Sequence, residues 1–129
     1  MIATRLFSNA HTPLFNPNIP KILIKCVANN IHLAASVNNK LIFKLSAGMI
    51  GYKGCQKTSP ECAMKMIDIC TLKLDEKKID MVALEFNGIN HARFVLLSRL
   101  KNSGLRICRV SDTTGIPHNG NRKRKPRRL

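Results

Sequence analysis

The sequence predicts an α/β fold, carried by one compact domain, and two patterns in the chain predict it. Residues 21–45 contain three short apolar runs separated by paired asparagines, which is typical of an antiparallel meander. Residues 59–110 then alternate helix-like with strand-like segments, as strand–helix–strand units do. A chain of 129 residues is long enough for one such domain with a modest core.

The meander strands are short and rich in β-branched and apolar residues. Because asparagine tolerates the left-handed dihedral angles of tight turns, we expect Asn29-Asn30 and Asn38-Asn39 to form the two hairpin turns. The predicted strands are residues 21–27, 31–37 and 40–45. Before them, residues 1–20 carry three prolines and no acidic residue, which predicts an irregular N-terminal arm.

The segment after the meander is rich in glycine, at positions 48, 51 and 54. It lacks the Lys-Ser/Thr ending of a P-loop, so a nucleotide site is not predicted. The glycines still let the backbone approach a phosphate chain closely, and Lys53 and Lys57 supply positive charge. Tyr52 is expected either to stack on a base or to pack on the sheet.

Two helix–strand units complete the domain. Ser59-Pro60-Glu61 predicts the start of the first helix, because serine caps helices, proline suits the first helical position and an acid suits the first turn. This helix is expected to run to about residue 74 and to cover one sheet face. The further predicted elements are a solvated connector at 75–78, a buried strand at 79–86, a turn at 87–93, a second helix ending at Gly104 and a last strand at 105–110.

The charge of the chain is strongly positive and unevenly distributed. Lys and Arg number 22 against 7 Asp and Glu, and six of the last nine residues are basic with no acid among them. Such a run cannot be buried without partners, so it stays solvated or lies on a polyanion, of which nucleic acid is the obvious one. The alternatives are a disordered solubilising tail or a targeting signal.

The ten residues before this basic run argue against those alternatives. Pro117 fixes one backbone dihedral angle, Gly115 and Gly120 permit conformations that other residues resist, and Asp112 and Asn119 are frequent turn formers. A defined turn therefore leads into the tail. We divide the chain into an N-terminal arm (1–20), one α/β domain (21–120) that binds RNA, and a basic RNA-binding tail (121–129).

The C-terminal motif reads Asp112-x-Thr-x-Ile-Pro-His-Asn-Gly120 and is followed by the basic cluster. It closely resembles the C-terminus of the small-subunit ribosomal protein S11 family. The segment Ala47-Gly48, Gly51-Tyr-Lys-Gly54 and Lys57-Thr-Ser-Pro60 is similar to the family's Ala-Gly…Gly-Phe-Arg/Lys-Gly…Lys-Ser-Thr-Pro. The family's Gly-Pro-Gly-x-Gly-Arg loop is matched only at Gly88 and Arg93, because Asn90 and Ala92 replace glycines. The resemblance covers residues 21–129.

The meander followed by strand–helix–strand units implies an α/β sandwich, with the sheet between helices or between helix and RNA. The resemblance implies a five-stranded mixed sheet with two helices, related to the ribonuclease-H-like architecture. It also implies a structural protein of the small ribosomal subunit that binds rRNA at the platform near the messenger exit. Implied partners are small-subunit rRNA, neighbouring ribosomal proteins and messenger RNA near the exit. The alternative is a free-standing basic RNA-binding or RNA-chaperone module.

We expect no enzyme activity. A nuclease of the ribonuclease-H-like architecture needs several carboxylates to hold metal ions at the scissile phosphate. The meander strands contain none, and only Asp80 and Glu85 are near a later strand, with Asp112 after the last one. No cofactor or metal is expected either.

The residues expected to contact RNA lie in the first hairpin turn, the glycine-rich loop, the loop before the second helix, and the C-terminal turn and tail. They are Asn29, Asn30, Gly51, Tyr52, Lys53, Gly54, Lys57, Arg93, Pro117, His118, Asn119, Gly120, Arg122, Lys123, Arg124, Lys125, Arg127 and Arg128. Asn119-Gly120 is also prone to succinimide formation. An unmodified Asn119 is favoured, with a structural isoaspartate at Asn119 as the alternative.

Five cysteines, an odd number without a C-x-x-C pair, indicate a reducing compartment without disulfides. Cys26, Cys70 and Cys108 are expected in the core and Cys55 is expected to be accessible. No apolar run reaches 18 residues, so no membrane partner is expected. The Asn- and Lys-rich composition favours a ribosome of the mitochondrial matrix, with the plastid or the bacterial cytoplasm as alternatives.

Overall fold

Two hairpins open the part of the chain that this computed structural model describes, residues 18–129. They join β1 (Lys21–Val27), β2 (Asn30–Val37) and β3 (Lys40–Ser46), which confirms the predicted meander. The predicted arm lies almost wholly outside the described residues, apart from positions 18–20.

The two hairpin turns differ in a way that the paired asparagines did not predict. Asn38 and Asn39 have φ of 50° and 62°, so the second turn uses the left-handed conformation of both. In the first turn Asn30 already pairs with Val27 as part of β2, and the turn consists of Ala28 and Asn29 without positive φ. The prediction that Asn29-Asn30 forms that turn is therefore wrong by one residue.

Helix α1 (Pro60–Glu76) begins as predicted, because the Ser59 Oγ accepts a hydrogen bond from the Cys62 amide at 3.2 Å. It ends two residues later than expected, and the predicted connector shrinks accordingly. Lys78 takes φ of 56°, and the amides of Lys78 and Ile79 bond to the carbonyls of Asp75 and Leu74. This is a Schellman-type stop built on lysine instead of glycine, which residue identity does not reveal.

The second unit consists of β4 (Met81–Asn87), α2 (Ala92–Asn102) and β5 (Arg106–Asp112). Gly104 follows α2 with φ of 81°, as expected for a residue that ends a helix. Strand β4 buries alternate residues, so the strand that was predicted to be buried is covered on one face. Its buried residues are Val82, Leu84 and Phe86.

The sheet order is β3-β2-β1-β4-β5, with β2 antiparallel to its neighbours and the other adjacent pairs parallel. This confirms the predicted α/β fold with a five-stranded mixed sheet and two helices. From β3 to β4 through α1, and from β4 to β5 through α2, the chain moves in the same direction across the sheet. Because such crossovers are right-handed, both helices lie on the same face.

The core lies between that face and the two helices. It contains only apolar residues among those described, and no polar side chain is buried in it. Its largest side chains are Phe86, Ile22, Ile24, Ile31, Leu33, Met66, Ile67, Leu74, Leu84, Leu96, Leu100 and Val82. Within residues 18–129, no helix is both long and apolar enough to cross a membrane.

The cysteine prediction is wrong at one position. Cys26 and Cys70 are buried and Cys55 is exposed, as expected, but Cys108 is exposed and Cys62 is buried instead. The register of β5 shifts at Cys108, because Val82 pairs with Ile107 while Ala83 pairs with Arg109. The extra residue takes Cys108 out of the apolar alternation that predicted its burial.

Candidate nucleic-acid interface

The segments predicted to bind RNA all follow strands that point in one direction. Strands β1, β3, β4 and β5 are mutually parallel, so their carboxyl ends meet at one edge of the sheet. We call this the carboxyl edge, and it comprises the segments that follow these strands, residues 28–30, 47–58, 88–93 and 113–129. Every predicted RNA-binding residue lies in one of them.

Hydrogen bonds connect neighbouring segments of the carboxyl edge. The Asn90 side-chain amide donates to the Val27 carbonyl at 2.9 Å, which ties the loop after β4 to the end of β1. The Ala47 amide donates to the Ile31 carbonyl at 3.2 Å, which holds the start of the glycine-rich loop beside β2. Asn90, which replaces a family glycine, is therefore an internal tether.

The glycine-rich loop projects beyond β3 with two left-handed glycines, Gly51 at φ of 101° and Gly54 at φ of 56°. Lys53 is exposed and Lys57 is half-buried. The Tyr52 ring packs against the core, and the Lys65 ammonium lies 5.4 Å from its centroid. Of the two alternatives for Tyr52, the structure therefore shows the packed one.

Gly88, at the start of the next segment, has room for no side chain. Its φ is 87°, and a Cβ atom built on it would lie 2.1 Å from the Cys26 carbonyl oxygen. The Gly88 amide donates to the Thr114 Oγ1 at 3.0 Å, and its carbonyl accepts from the Arg93 Nη1 at 3.3 Å. A glycine is thus required where β1, the β4–α2 loop and the C-terminal segment meet.

Three contacts hold the half-buried Arg93 side chain against the protein. Besides the Gly88 carbonyl, its guanidinium bonds the Asp112 carboxylate at 2.5 Å and lies 4.9 Å from the centroid of the Phe86 ring. The predicted contact of Arg93 with RNA stays a prediction. Its observed role is to fix the loop before α2 against the end of β5.

Asp112 makes the remaining contacts at this point of the sheet edge. We call the four residues that meet there, Gly88, Arg93, Asp112 and Thr114, the clamp. One Asp112 oxygen accepts from the Thr114 hydroxyl at 2.6 Å and from its amide at 2.9 Å. Hydrogen bonds from Thr114 first, and then from Arg93, lower the pKa of Asp112 to about 2, so the carboxylate stays ionised at neutral pH. The residue type of Asp112 predicted a turn, but the sequence did not reveal the hydrogen bonds of Thr114 or the clamp.

The C-terminal segment leaves the sheet through Thr113, whose amide donates to the Phe86 carbonyl at 2.8 Å. From Gly115 onward every residue is exposed. A turn follows at Asn119 and Gly120, with φ of 71° and 50°, and the Gly120 amide donates to the His118 carbonyl at 3.0 Å. The exposed basic residues beyond it are Arg122, Lys123, Arg124, Lys125, Arg127 and Arg128.

These features define a class, a small basic α/β protein whose cations gather at one sheet edge and continue into a charged tail. The family model of Ribosomal protein S11 matches residues 22–128. The chain therefore belongs to the ribosomal protein S11 family, as the C-terminal motif indicated.

Individual relatives agree with the family model over most of the chain. "Small ribosomal subunit protein uS11c" of Spirogyra maxima is 31% identical over 122 residues, covering 87% of this chain and 94% of the relative. "Small ribosomal subunit protein uS11" of Carsonella ruddii is 33% identical over 101 residues, covering 78% and 86%. The protein of the same name from Wolbachia pipientis is 30% identical over 110 residues, covering 77% and 86%.

Proposed function

We propose that this protein is a structural constituent of the small ribosomal subunit that binds small-subunit rRNA through the carboxyl edge and the basic tail. The observation that carries the proposal is the convergence of all predicted RNA-binding segments at one edge. The relatives' names state the same subunit. The role is architectural rather than enzymatic.

The chemistry of the carboxyl edge suits RNA backbone more than bases. Lys53, Lys57 and the tail supply point charges and guanidinium groups, which bind phosphate without reading sequence. Tyr52, the aromatic residue of the glycine-rich loop, packs against the core. We therefore propose that recognition depends on the shape of the folded rRNA, with the clamp setting the direction in which the tail leaves the domain.

Within the subunit, the proposed position is the platform near the messenger exit, beside other small-subunit proteins and with messenger RNA passing close by. The support is the resemblance of the C-terminal motif to the family. The proposed compartment is the mitochondrial matrix, and the relatives are compatible with the alternative, a plastid or bacterial ribosome.

Co-sedimentation tests this function against the free-standing RNA-binding or chaperone module. The tagged full-length chain is expressed in its source cells, and ribosomal subunits are separated on gradients at increasing salt. We expect the protein to stay with the small subunit at high salt, because a protein bound through many contacts within folded rRNA dissociates slowly. Release into the soluble fraction at a salt concentration that leaves other small-subunit proteins bound would favour the free module.

A further inference from the structure

We propose that the sheet face opposite the helices is a second RNA-contact surface, which we call the open face. This inference rests on the proposed function and extends it to residues outside the carboxyl edge. The open face consists of the strand residues that alternate with the buried ones. It includes Lys21, Leu23, Lys25, Val27, His32, Ala34, Ser36, Leu41, Lys44, Met81, Ala83, Glu85, Asn87, Arg106, Arg109 and Ser111.

Within residues 18–129, the fold leaves this face without a helix. Both crossovers proceed in the same direction across the sheet and are right-handed, so α1 and α2 lie together on the other side. Exposed apolar side chains, Leu23 at 37%, Leu41 at 59% and Met81 at 44%, remain on the open face. Two of the four adjacent strand pairs, β1 with β4 and β4 with β5, are parallel, and parallel sheets are normally covered on both faces, so an occupant is expected over this part of the open face.

Charge identifies the chemistry of that occupant. The open face carries five basic residues, Lys21, Lys25, Lys44, Arg106 and Arg109, and Glu85 is its one acidic residue among those described. The two helices on the other side carry five basic and four acidic residues, which is nearly balanced. The net positive charge of the open face is therefore larger than that of the helical side, and it fits a polyanion.

The shape of the open face also suits a nucleic-acid backbone. Ala34, Ser36 and Ala83 lie between the charged residues and leave the middle of the face low. With strands about 4.8 Å apart, the basic residues from β3 to β5 span about 19 Å. A shallow depression lined by Lys21, Ala83, Glu85 and Arg109 continues to Thr113, where the tail leaves the sheet. RNA bound at the carboxyl edge could therefore extend onto the open face without a break.

Lys25 and Lys44 test this proposal, because both are exposed on the open face. We compare Lys25→Gln/Lys44→Gln with the matched control Lys77→Gln/Lys101→Gln, which removes the same charge from exposed positions on the helical side. The affinity of each full-length protein for transcribed small-subunit rRNA is measured between 50 and 200 mM salt. We expect the slope of log affinity against log salt to fall by about 2 in the open-face variant and to stay unchanged in the control.

Lysine acylation of the unmodified protein gives an independent readout. With rRNA bound, Lys25 and Lys44 should be protected while Lys77 and Lys101 react as in the free protein. If Lys53 and the tail lysines are protected but Lys25 and Lys44 are not, RNA binds the carboxyl edge alone and this inference is overturned. Protection of Lys25 and Lys44 only in complete subunits, with unchanged slopes, would assign the face to a protein and also overturn it. If the unmodified protein shows no salt-dependent binding to this rRNA, the proposed function itself fails.

Discussion

The helical layer and the carboxyl edge are built on the same strands but are maintained by different forces. Beneath the helices, burial of apolar side chains such as Leu96 and Met66 stabilises the fold. At the carboxyl edge, stability comes from a few hydrogen bonds, and the basic tail beyond Gly115 is wholly exposed. Substitutions in the helical layer should therefore change stability without changing RNA binding, and substitutions in the tail should do the reverse. Only the clamp, where the two regions meet, should affect both.

The largest expected effect is on binding and comes from the tail. If its six basic residues neutralise about six phosphates, RNA affinity of the intact protein should fall about 10³-fold between 50 and 200 mM salt. Deleting residues 122–129, or replacing the six with Gln, should remove most of this salt dependence and leave the thermal unfolding midpoint unchanged. Filter binding measures the salt dependence of RNA affinity, and calorimetry measures the thermal unfolding midpoint. An unaltered salt slope would show that the tail is a solvated appendage.

The next largest effect comes from a substitution in the helical layer, which should lower stability and leave RNA affinity unchanged. Leu96 is fully buried in α2, and Leu96→Ala should lower the free energy of unfolding by about 2–5 kcal/mol because it leaves a cavity. Denaturant titration measures this, with Phe94→Ala as a control, since Phe94 is 83% exposed. Under conditions where the variant stays folded, its RNA affinity should equal that of the parent. A large loss of affinity would mean that stability and binding are not separable.

Asp112 lies where the two regions meet, so Asp112→Ala should affect binding modestly and local order clearly. We expect faster hydrogen exchange at Thr113 and Thr114, and a loss of RNA affinity below about tenfold, because exposed ion pairs contribute little. Asp80→Ala serves as the control, since Asp80 is exposed and outside the clamp. Equal exchange rates in the two variants would show that the clamp does not hold the root of the tail.

The clamp also has a defined pH dependence. The pKa of Asp112 is lowered to about 2 by Thr114 and Arg93, whereas an unperturbed aspartate titrates near about 4. The stabilisation is therefore present above about pH 4 and lost as the pH falls through about 2. Carboxyl NMR shifts of Asp112 should show this low midpoint. In Arg93→Ala the midpoint should move upward, and an unmoved one would assign the shift to Thr114 alone.

The smallest expected effect is on cysteine reactivity, which distinguishes thiols buried in the core from exposed ones. Cys26, Cys62 and Cys70 lie in the core, where burial raises the pKa of each thiol and that of Cys70 to about 12, so they should resist alkylation. Cys55 and Cys108 are exposed and should react in the free protein. Mass spectrometry after brief alkylation counts the modified thiols. Rapid labelling of Cys70 would indicate that the helical layer opens more readily than its packing implies.

How far the fold could be predicted depended on how local its signals were. The meander, the capped start of α1 and the stop at Gly104 follow from neighbouring residues, and the structure has all three. The end of α1 at Glu76 could not be predicted, because the left-handed Lys78 that follows it is stabilised by hydrogen bonds to helix carbonyls rather than by its residue type. The exposure of Cys108 depends on how β5 pairs with β4, which is a long-range property.

The sequence predicted individual residues of the candidate site but not the contacts between them. Gly88 and Arg93 were recognised in one motif and Asp112 in another. Their meeting with Thr114 requires the parallel pairing of β4 with β5, which brings residues 26 positions apart within 3.0 Å. The convergence of four loops at the carboxyl edge likewise follows from strand direction. Asn119 lies in a left-handed turn, and we expect peptide mass spectrometry to find it unmodified rather than as isoaspartate.

The central claim is that the carboxyl edge, and not the outer surface of α1, meets rRNA. Ultraviolet cross-linking of purified small subunits, followed by mass spectrometry of this chain, tests it most directly. We predict cross-links within residues 28–30, 47–58 and 113–129, and none at Met64 or Leu72, which are exposed on α1. Cross-links concentrated on α1, with the carboxyl edge unmodified, would contradict the account.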